Sequence, residues 1–236
     1  RHRRQSVRTR AAGKLEQQRL GLVVQVVREE HAADAGAARG IGRAILLALA
    51  RHGATAIGTA ATVAGAAAIG EALAAEGLKG RGLVLDVADG GSVEAAVADI
   101  EAHEGGVAIL VNNAGITRDG LLLRMKPEDW DAILNTNLTS VYRLSKAVLR
   151  GMMKARGGRI ISIASVVGQT GNPGQSNYAA AKAGIIGFTK SLAREVGPLG
   201  VNPALGLNEL EAIKPAAVVI GFLDPYNGAV VRRFTE

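Results

Sequence analysis

From Gly36 to Val196 the chain alternates short β-branched runs with longer alanine-rich stretches of helical period, a rhythm that admits few folds. The runs Ala54–Thr59, Gly82–Val87, Val107–Asn112 and Arg159–Ala164 are expected as strands. Between them, helical patterns span Ile41–His52, Ala64–Glu76, Ser92–His103, Glu128–Lys154 and Ser176–Val196, most of them ending near a glycine. Strands as apolar as Ile109-Leu110-Val111 offer no polar face, so helices must cover the sheet on both sides. The expected fold is α/β, an open, doubly wound parallel sheet in a single domain. No internal repeat or linker divides it.

Composition narrows the class further. The chain has 236 residues, 48% hydrophobic and 21% charged, which is enough for one sizeable core. Its unbroken apolar stretches, such as Ala44 to Ala50, fall well below the roughly 18 residues of a membrane helix, so a soluble, cytoplasmic protein with no membrane partner is expected. The absence of cysteine excludes a disulfide scaffold, a thiolate zinc site and a cysteine nucleophile. The histidines, His2, His31, His52 and His103, show no ligand spacing, and no metal is expected. Of the net charge of +7, +5 lies in residues 1–30, with eight basic and three acidic side chains. That segment lacks interleaved aromatics and carries Glu16, Glu29 and Glu30, so it is expected as a solvated terminus and not as a nucleic-acid arm or import signal.

Three clusters carry chemistry. Gly36-Ala37-Ala38-Arg39-Gly40-Ile41-Gly42 is a glycine run opening a helix, where main-chain N–H groups approach a diphosphate closely. In a chain of 31 glycines, a chance run or a helix-packing pair is an equally good account of it. The second strand ends Gly58-Thr59-Ala60-Ala61-Thr62 with no carboxylate to repel a 2′-phosphate, and Arg39 stands in the turn, which favours NADP(H) over NAD. Tyr178 and Lys182 lie four residues apart on one helix face, where an ammonium favours the phenolate and makes an acid–base pair. Ser165 precedes Tyr178 by thirteen residues, just after a candidate strand, and Asn112-Asn113-Ala114-Gly115 follows another.

The glycine run, Asp86-Val87, Asn113-Ala114-Gly115, Asn137, Ser165 and the Tyr178/Lys182 pair stand in the order and spacing of the short-chain dehydrogenase/reductases. Within that family, Asn113–Asp119, Tyr142–Val148 and Tyr178–Gly184 resemble the bacterial β-ketoacyl-[acyl carrier protein] reductases. The resemblance covers Gly36 to Val196 and implies a Rossmann-like fold and NADPH-dependent reduction of a 3-oxoacyl thioester in fatty acid synthesis. It implies Tyr178 as proton donor, Ser165 polarising the same carbonyl oxygen, and Lys182 lowering the phenol pKa and holding the nicotinamide ribose. It implies Asn137, on a long helix, holding a relay water. Gly36, Arg39, Gly40, Ile41 and Gly42 would hold the diphosphate end of the cofactor. Asp86 and Val87 would border the adenine, and Asn113, Ala114 and Gly115 would lie near the adenosine ribose. Arg156 matches a residue that docks the acidic acyl carrier protein; a second such position holds Leu199. A homodimer or homotetramer is implied, with the helices of Asn137 and Tyr178 facing a neighbour.

The ends depart from the family. Leu20–Val27 reads as a strand, but Arg28–Asp34 separates it from the glycines it should feed directly. Ala35, Ala38 and Ala61 stand where the family places hydroxyl residues. Residues 1–35 and 197–236 are thus atypical segments flanking the nucleotide-binding and catalytic region 36–196. After Val196 the order of helix and strand is unclear, with possible strands at Ala216–Phe222 and Ala229–Val231, and no substrate lid is recognisable. A shifted reading frame in GC-rich coding DNA would produce such Arg/Ala-rich ends, and N-terminal sequencing or intact mass tests that origin. The alternatives are another short-chain reductase, acting on acetoacetyl-CoA or a small ketone, and a catalytically impaired nucleotide-binding homologue.

Overall fold

Six short segments line up as one wholly parallel sheet in the order β3-β2-β1-β4-β5-β6. They are β1 (Gly21–Gln25), β2 (Thr55–Ala60), β3 (Gly80–Val84), β4 (Val107–Asn112), β5 (Gly158–Ser162) and β6 (Val201–Leu205). The computed structural model describes residues 21–25 and 40–205. Its main helices are α1 (Ile41–Arg51), α2 (Val63–Ala75), α3 (Gly90–Glu104), α4 (Pro127–Leu134), α5 (Ser140–Ala155), the single turn α6 (Val167–Thr170) and α7 (Ser176–Val196). No helix among the described residues is long and apolar enough to cross a membrane.

Strand periodicity explains the two cores. Successive side chains point to opposite faces. Ile57, Leu110, Ile160 and Val201 therefore meet Val93, Val97 and Ile100 of α3, Leu144, Val148 and Met152 of α5, and Leu192 and Val196 of α7. Their neighbours Ala56, Val111, Ile161 and Ala204 meet Ile45, Leu46 and Leu49 of α1 and Ile69 and Leu73 of α2. Both faces are buried, as the uninterrupted apolar runs require. Helix starts are signalled locally: Thr62 Oγ1 accepts from Gly65 N–H at 3.1 Å and Asp89 Oδ2 from Ser92 N–H at 2.7 Å. Pro127 opens α4 with Glu128 and Asp129 in its first turn.

Four sequence expectations are corrected. Glu128–Lys154 is not one helix: α4 and α5 are separated by a π-helical turn, Asn135–Thr139, so Asn137 lies in the turn and not on a regular helix. The strand expected at Gly82–Val87 is β3, Gly80–Val84. Past Val84, Leu85 N–H still donates to the Ala60 carbonyl at 2.9 Å, Leu85 and Val87 pack in the core with α3, and Asp86 makes a local turn, its Oδ1 accepting from Ala88 N–H at 2.9 Å. The strand expected at Arg159–Ala164 is Gly158–Ser162; past Ser162 the chain departs toward α6. From Gly197 to Leu205, the last described residue, the order is a 3-10 turn at Gly197–Leu199 and then β6. Pro203 gives β6 no N–H at that position; among the described residues β6 is the outermost strand of the sheet, where a missing donor costs little.

The strand expected at Leu20–Val27 is present as β1 and takes the central place between β2 and β4. Gly36, Arg39 and the possible strands at Ala216–Phe222 and Ala229–Val231 lie outside the described residues.

Candidate active site

The order reverses at β1: the chain runs outward through β2 and β3, then returns to β4 on the other side. In open parallel sheets the crevice beyond the carboxyl ends at such a point is where ligands bind. Here β4 and β5 end level, with Asn112 paired to Ser162 in the last rung. The buried Asn112 amide donates to Ser162 Oγ at 3.3 Å and Ser145 Oγ at 3.5 Å, fixing both strand ends on α5. The segments that follow, from Asn113 and from Ile163, therefore leave the sheet at the same height.

Lys182 reaches back from α7 to this level. Its side chain is 4% exposed, and Nζ donates to the Ile163 carbonyl oxygen at 2.8 Å. Burial pushes its pKa down from 10.5 to about 8. It remains mostly an ammonium at neutral pH, held 5.6 Å from the centroid of the half-buried Tyr178 ring one helical turn earlier. The i,i+4 spacing read in the sequence thus places phenol and ammonium side by side.

Asn137 is fully buried. Its Oδ1 accepts from Ile116 N–H at 2.8 Å and its Nδ2 donates to Ile116 C=O at 2.9 Å, an amide paired with one peptide in both directions. The π turn is the device that aims it there; such single turns recur at functional sites. A Cβ on Gly115 would stand 3.6 Å from Asn137 Oδ1 and 3.8 Å from Lys182 Nζ, so this glycine lies between the two. Asn137 thus clamps the loop after β4. Asn137→Ala strands the part-buried N–H and C=O of Ile116, and is expected to destabilise by about 1–3 kcal/mol, read as a lower midpoint in urea at unchanged slope.

Ser165 joins the cluster through α6. Its Oγ accepts from Val167 N–H at 3.2 Å, starting that short turn, and the turn packs on α7 at Lys182. Gly168 permits the contact: a Cβ there would come within 2.8 Å of the Lys182 carbonyl carbon and the Ala183 nitrogen. Sequence reasoning missed Gly168 and the main-chain groups of Ile116 and Ile163. Backbone partners leave no residue-type signature, and one glycine among 31 carries none.

Other expected site residues are distributed around the same crevice. Gly40, with φ 118°, caps α1 without any side-chain cap, and Ile41 and Gly42 form its first turn. In that turn Arg43 Nε is buried with no hydrogen-bond partner among the described residues. A helix N-terminus with no acid in its first turn and an orphaned guanidinium donor fits a diphosphate. Asp86 is exposed, whereas the Val87 side chain belongs to the core, leaving only its main chain for a ligand. Asn113 and Gly115 are half-buried and Ala114 is in the core.

Arg156 stands apart. It caps α5 in a left-handed conformation, φ 52°, just before β5 begins, and a Cβ on Gly200 would lie 2.5 Å from its carbonyl oxygen. Arg156 and Leu199 are thus near one another at the amino ends of β5 and β6, a strand length of about 16 Å from the Tyr178 end.

Comparison with known proteins agrees with this geometry. The short chain dehydrogenase family model matches residues 30–205. The chain is 63% identical over 166 residues to the 3-oxoacyl-[acyl-carrier-protein] reductase FabG of Vibrio harveyi, spanning 70% of this chain and 67% of that protein. It is 58% identical over 189 residues to the reductase of the same name from Pseudomonas aeruginosa, 80% and 72% of the two chains. Among solved structures, a metagenomic short-chain oxidoreductase in complex with NADP superposes with a TM-score of 0.71 at 32% identity, covering 80% of this chain and 81% of that one. With its sheet order, its Tyr178/Lys182 pair and these matches, the chain belongs to the short-chain dehydrogenase family.

Proposed function

We propose that the protein reduces the 3-oxo group of an acyl thioester carried on acyl carrier protein to the 3-hydroxy group, with NADPH as reductant, as in fatty acid synthesis. The observation that carries this is Lys182, buried between the Ile163 carbonyl and the Tyr178 ring, at the switch point of the sheet. The high identity to reductases of that name supports the substrate.

The first turn of α1 would hold the diphosphate, Asp86 and the Val87 main chain the adenine edge, and Lys182 the nicotinamide ribose. When bound, NADPH supplies the hydride for the carbonyl carbon. Tyr178 transfers its hydroxyl proton to the carbonyl oxygen as charge develops there. Ser165 donates a hydrogen bond to that oxygen and polarises it. The phenolate left on Tyr178 is stabilised by the Lys182 ammonium until solvent restores the proton. Asn137 keeps Ile116 and Gly115 in place near this pair, and would hold a water that relays protons toward Lys182.

Arg156 serves as a docking point for the acidic carrier. Because it lies at the opposite end of the strands from Tyr178, a carrier held there delivers its thioester to the crevice of a neighbouring copy, which requires a homo-oligomer. Arg156→Glu is therefore expected to raise KM at least fivefold for a 3-oxoacyl carrier-protein substrate and to leave KM for acetoacetyl-CoA unchanged. Equal effects on the two substrates would place the docking surface elsewhere.

A further inference from the structure

Two asparagines stand two positions apart in the π turn that divides α4 from α5, and residues so spaced point to opposite sides of a helical turn. Asn137 faces the loop after β4. Asn135 faces the loop after β3, where its Nδ2 donates to the Ala88 carbonyl oxygen at 3.5 Å, a bond across 47 positions of the chain. Its Oδ1 accepts from Arg143 Nη1 at 2.7 Å, the guanidinium reaching back from α5. A guanidinium only donates, so it fixes which end of the amide faces it and leaves the other end, the NH₂ group, turned to Ala88. The Asn135 main-chain oxygen is engaged as well, accepting from Ser140 N–H in the i→i+5 bond that makes the turn a π turn.

The segment that Asn135 touches is bonded within itself and to α3. Asp86 N–H donates to Ser92 Oγ at 3.0 Å, Asp86 Oδ1 accepts from Ala88 N–H at 2.9 Å, and Asp86 C=O accepts from Asp89 N–H at 3.2 Å. These local bonds shape the turn, whereas the bond from Asn135 sets where it stands relative to α5. At 3.5 Å that bond is long, so it steers the turn more than it stabilises it. We propose that Asn135, oriented by Arg143, is a positioning residue for the adenine end of the cofactor, holding the turn at residues 86–88 against the edge of the crevice. It acts through that turn, and neither Asn135 nor Arg143 touches the reacting atoms. The effect on ligands rests on the adenine placement given under the proposed function, whereas the tie between the π turn and the loop after β3 does not.

The test compares the full-length parent with Asn135→Ala, Asn135→Asp and Arg143→Met. Asn135→Asp keeps an acceptor for Arg143 and replaces the donor to Ala88 by an acceptor, so it breaks the tie while preserving the bond that orients the side chain. Dissociation constants for NADPH and for adenosine 2′,5′-bisphosphate, which carries the adenine end of the cofactor, are measured by calorimetry beside amide hydrogen exchange. Both Asn135 variants are expected to weaken both ligands at least fivefold and to raise exchange at least fivefold in 85–90, with 113–117 within twofold of the parent. Arg143→Met is expected to fall between them and the parent. In turnover the loss appears as a KM for NADPH at least fivefold higher, with kcat lowered less than threefold. Dissociation constants within twofold of the parent, or exchange rising equally in 85–90 and 113–117, would overturn the proposal. Should Asp86→Ala leave adenosine 2′,5′-bisphosphate binding unchanged, the adenine placement itself fails, and exchange in 85–90 of Asn135→Asp then decides whether the π turn holds the loop.

Discussion

Replacing Tyr178 by Phe is expected to lower turnover of a 3-oxoacyl thioester by about 10²–10⁴-fold, the range a positioned general acid contributes. The substitution keeps the half-buried ring and removes one oxygen, so the packing of α7 on its neighbours is retained. NADPH affinity and thermal midpoint should stay at the parent values. The measurement is single-turnover oxidation of NADPH beside a fluorescence titration of the cofactor. A variant that binds NADPH normally but loses less than tenfold in rate would assign the proton transfer to another group.

Replacing Lys182 by Met has two effects of different sign. Turnover falls by a comparable factor, because the phenolate loses its ammonium and the ribose its donor. Stability of the cofactor-free protein below pH 8 moves the other way. The folded pKa of about 8 lies below the ordinary 10.5, so between those values the unfolded chain holds a proton that the folded chain has released. The contribution of Lys182 to stability therefore rises as pH climbs through that window and is constant on either side of it. The gap spans on the order of 3 kcal/mol at 1.36 kcal/mol per pH unit. Parent and Lys182→Met unfolding free energies, measured in urea from pH 7 to 11, should converge or cross by that amount. Parallel curves would show that Lys182 is not buried as an ammonium.

How much of this was legible beforehand depends on where each signal resides. Val107–Asn112 and Ser176–Val196 were read to the residue, since each is a complete pattern with its own end signals. The Tyr178/Lys182 pairing followed from helix geometry alone. The break at Asn135–Thr139 was not legible, because a π turn preserves the helical run of residues and is set by the contact of Asn137 with Ile116, 21 residues away. β3 begins two residues and ends three residues before the expected Gly82–Val87, because Leu85 and Val87 are as apolar as a strand but are buried past the strand's end. β6 carries Pro203, whose tolerance depends on an outermost place among the described strands that only the topology discloses.

The site itself divides along the same line. Side chains that do chemistry announce themselves by type and spacing, whereas the groups that hold them are main-chain atoms, as at Ile116 and Ile163, or a glycine such as Gly168. Arg156 illustrates the reverse case. The resemblance implied a docking role for it without fixing its place, and the connection from α5 to β5 puts it at the amino end of β5.

The most direct test of the central claim is reduction of a 3-oxoacyl-[acyl carrier protein] by the full chain with NADPH, the product identified by mass spectrometry and the Tyr178→Phe variant run in parallel. NADPH consumption matched one for one by an acyl product heavier by two hydrogens, and abolished by the loss of that hydroxyl, is the result expected. NADPH binding with no reduced thioester, or reduction that survives Tyr178→Phe, would contradict it.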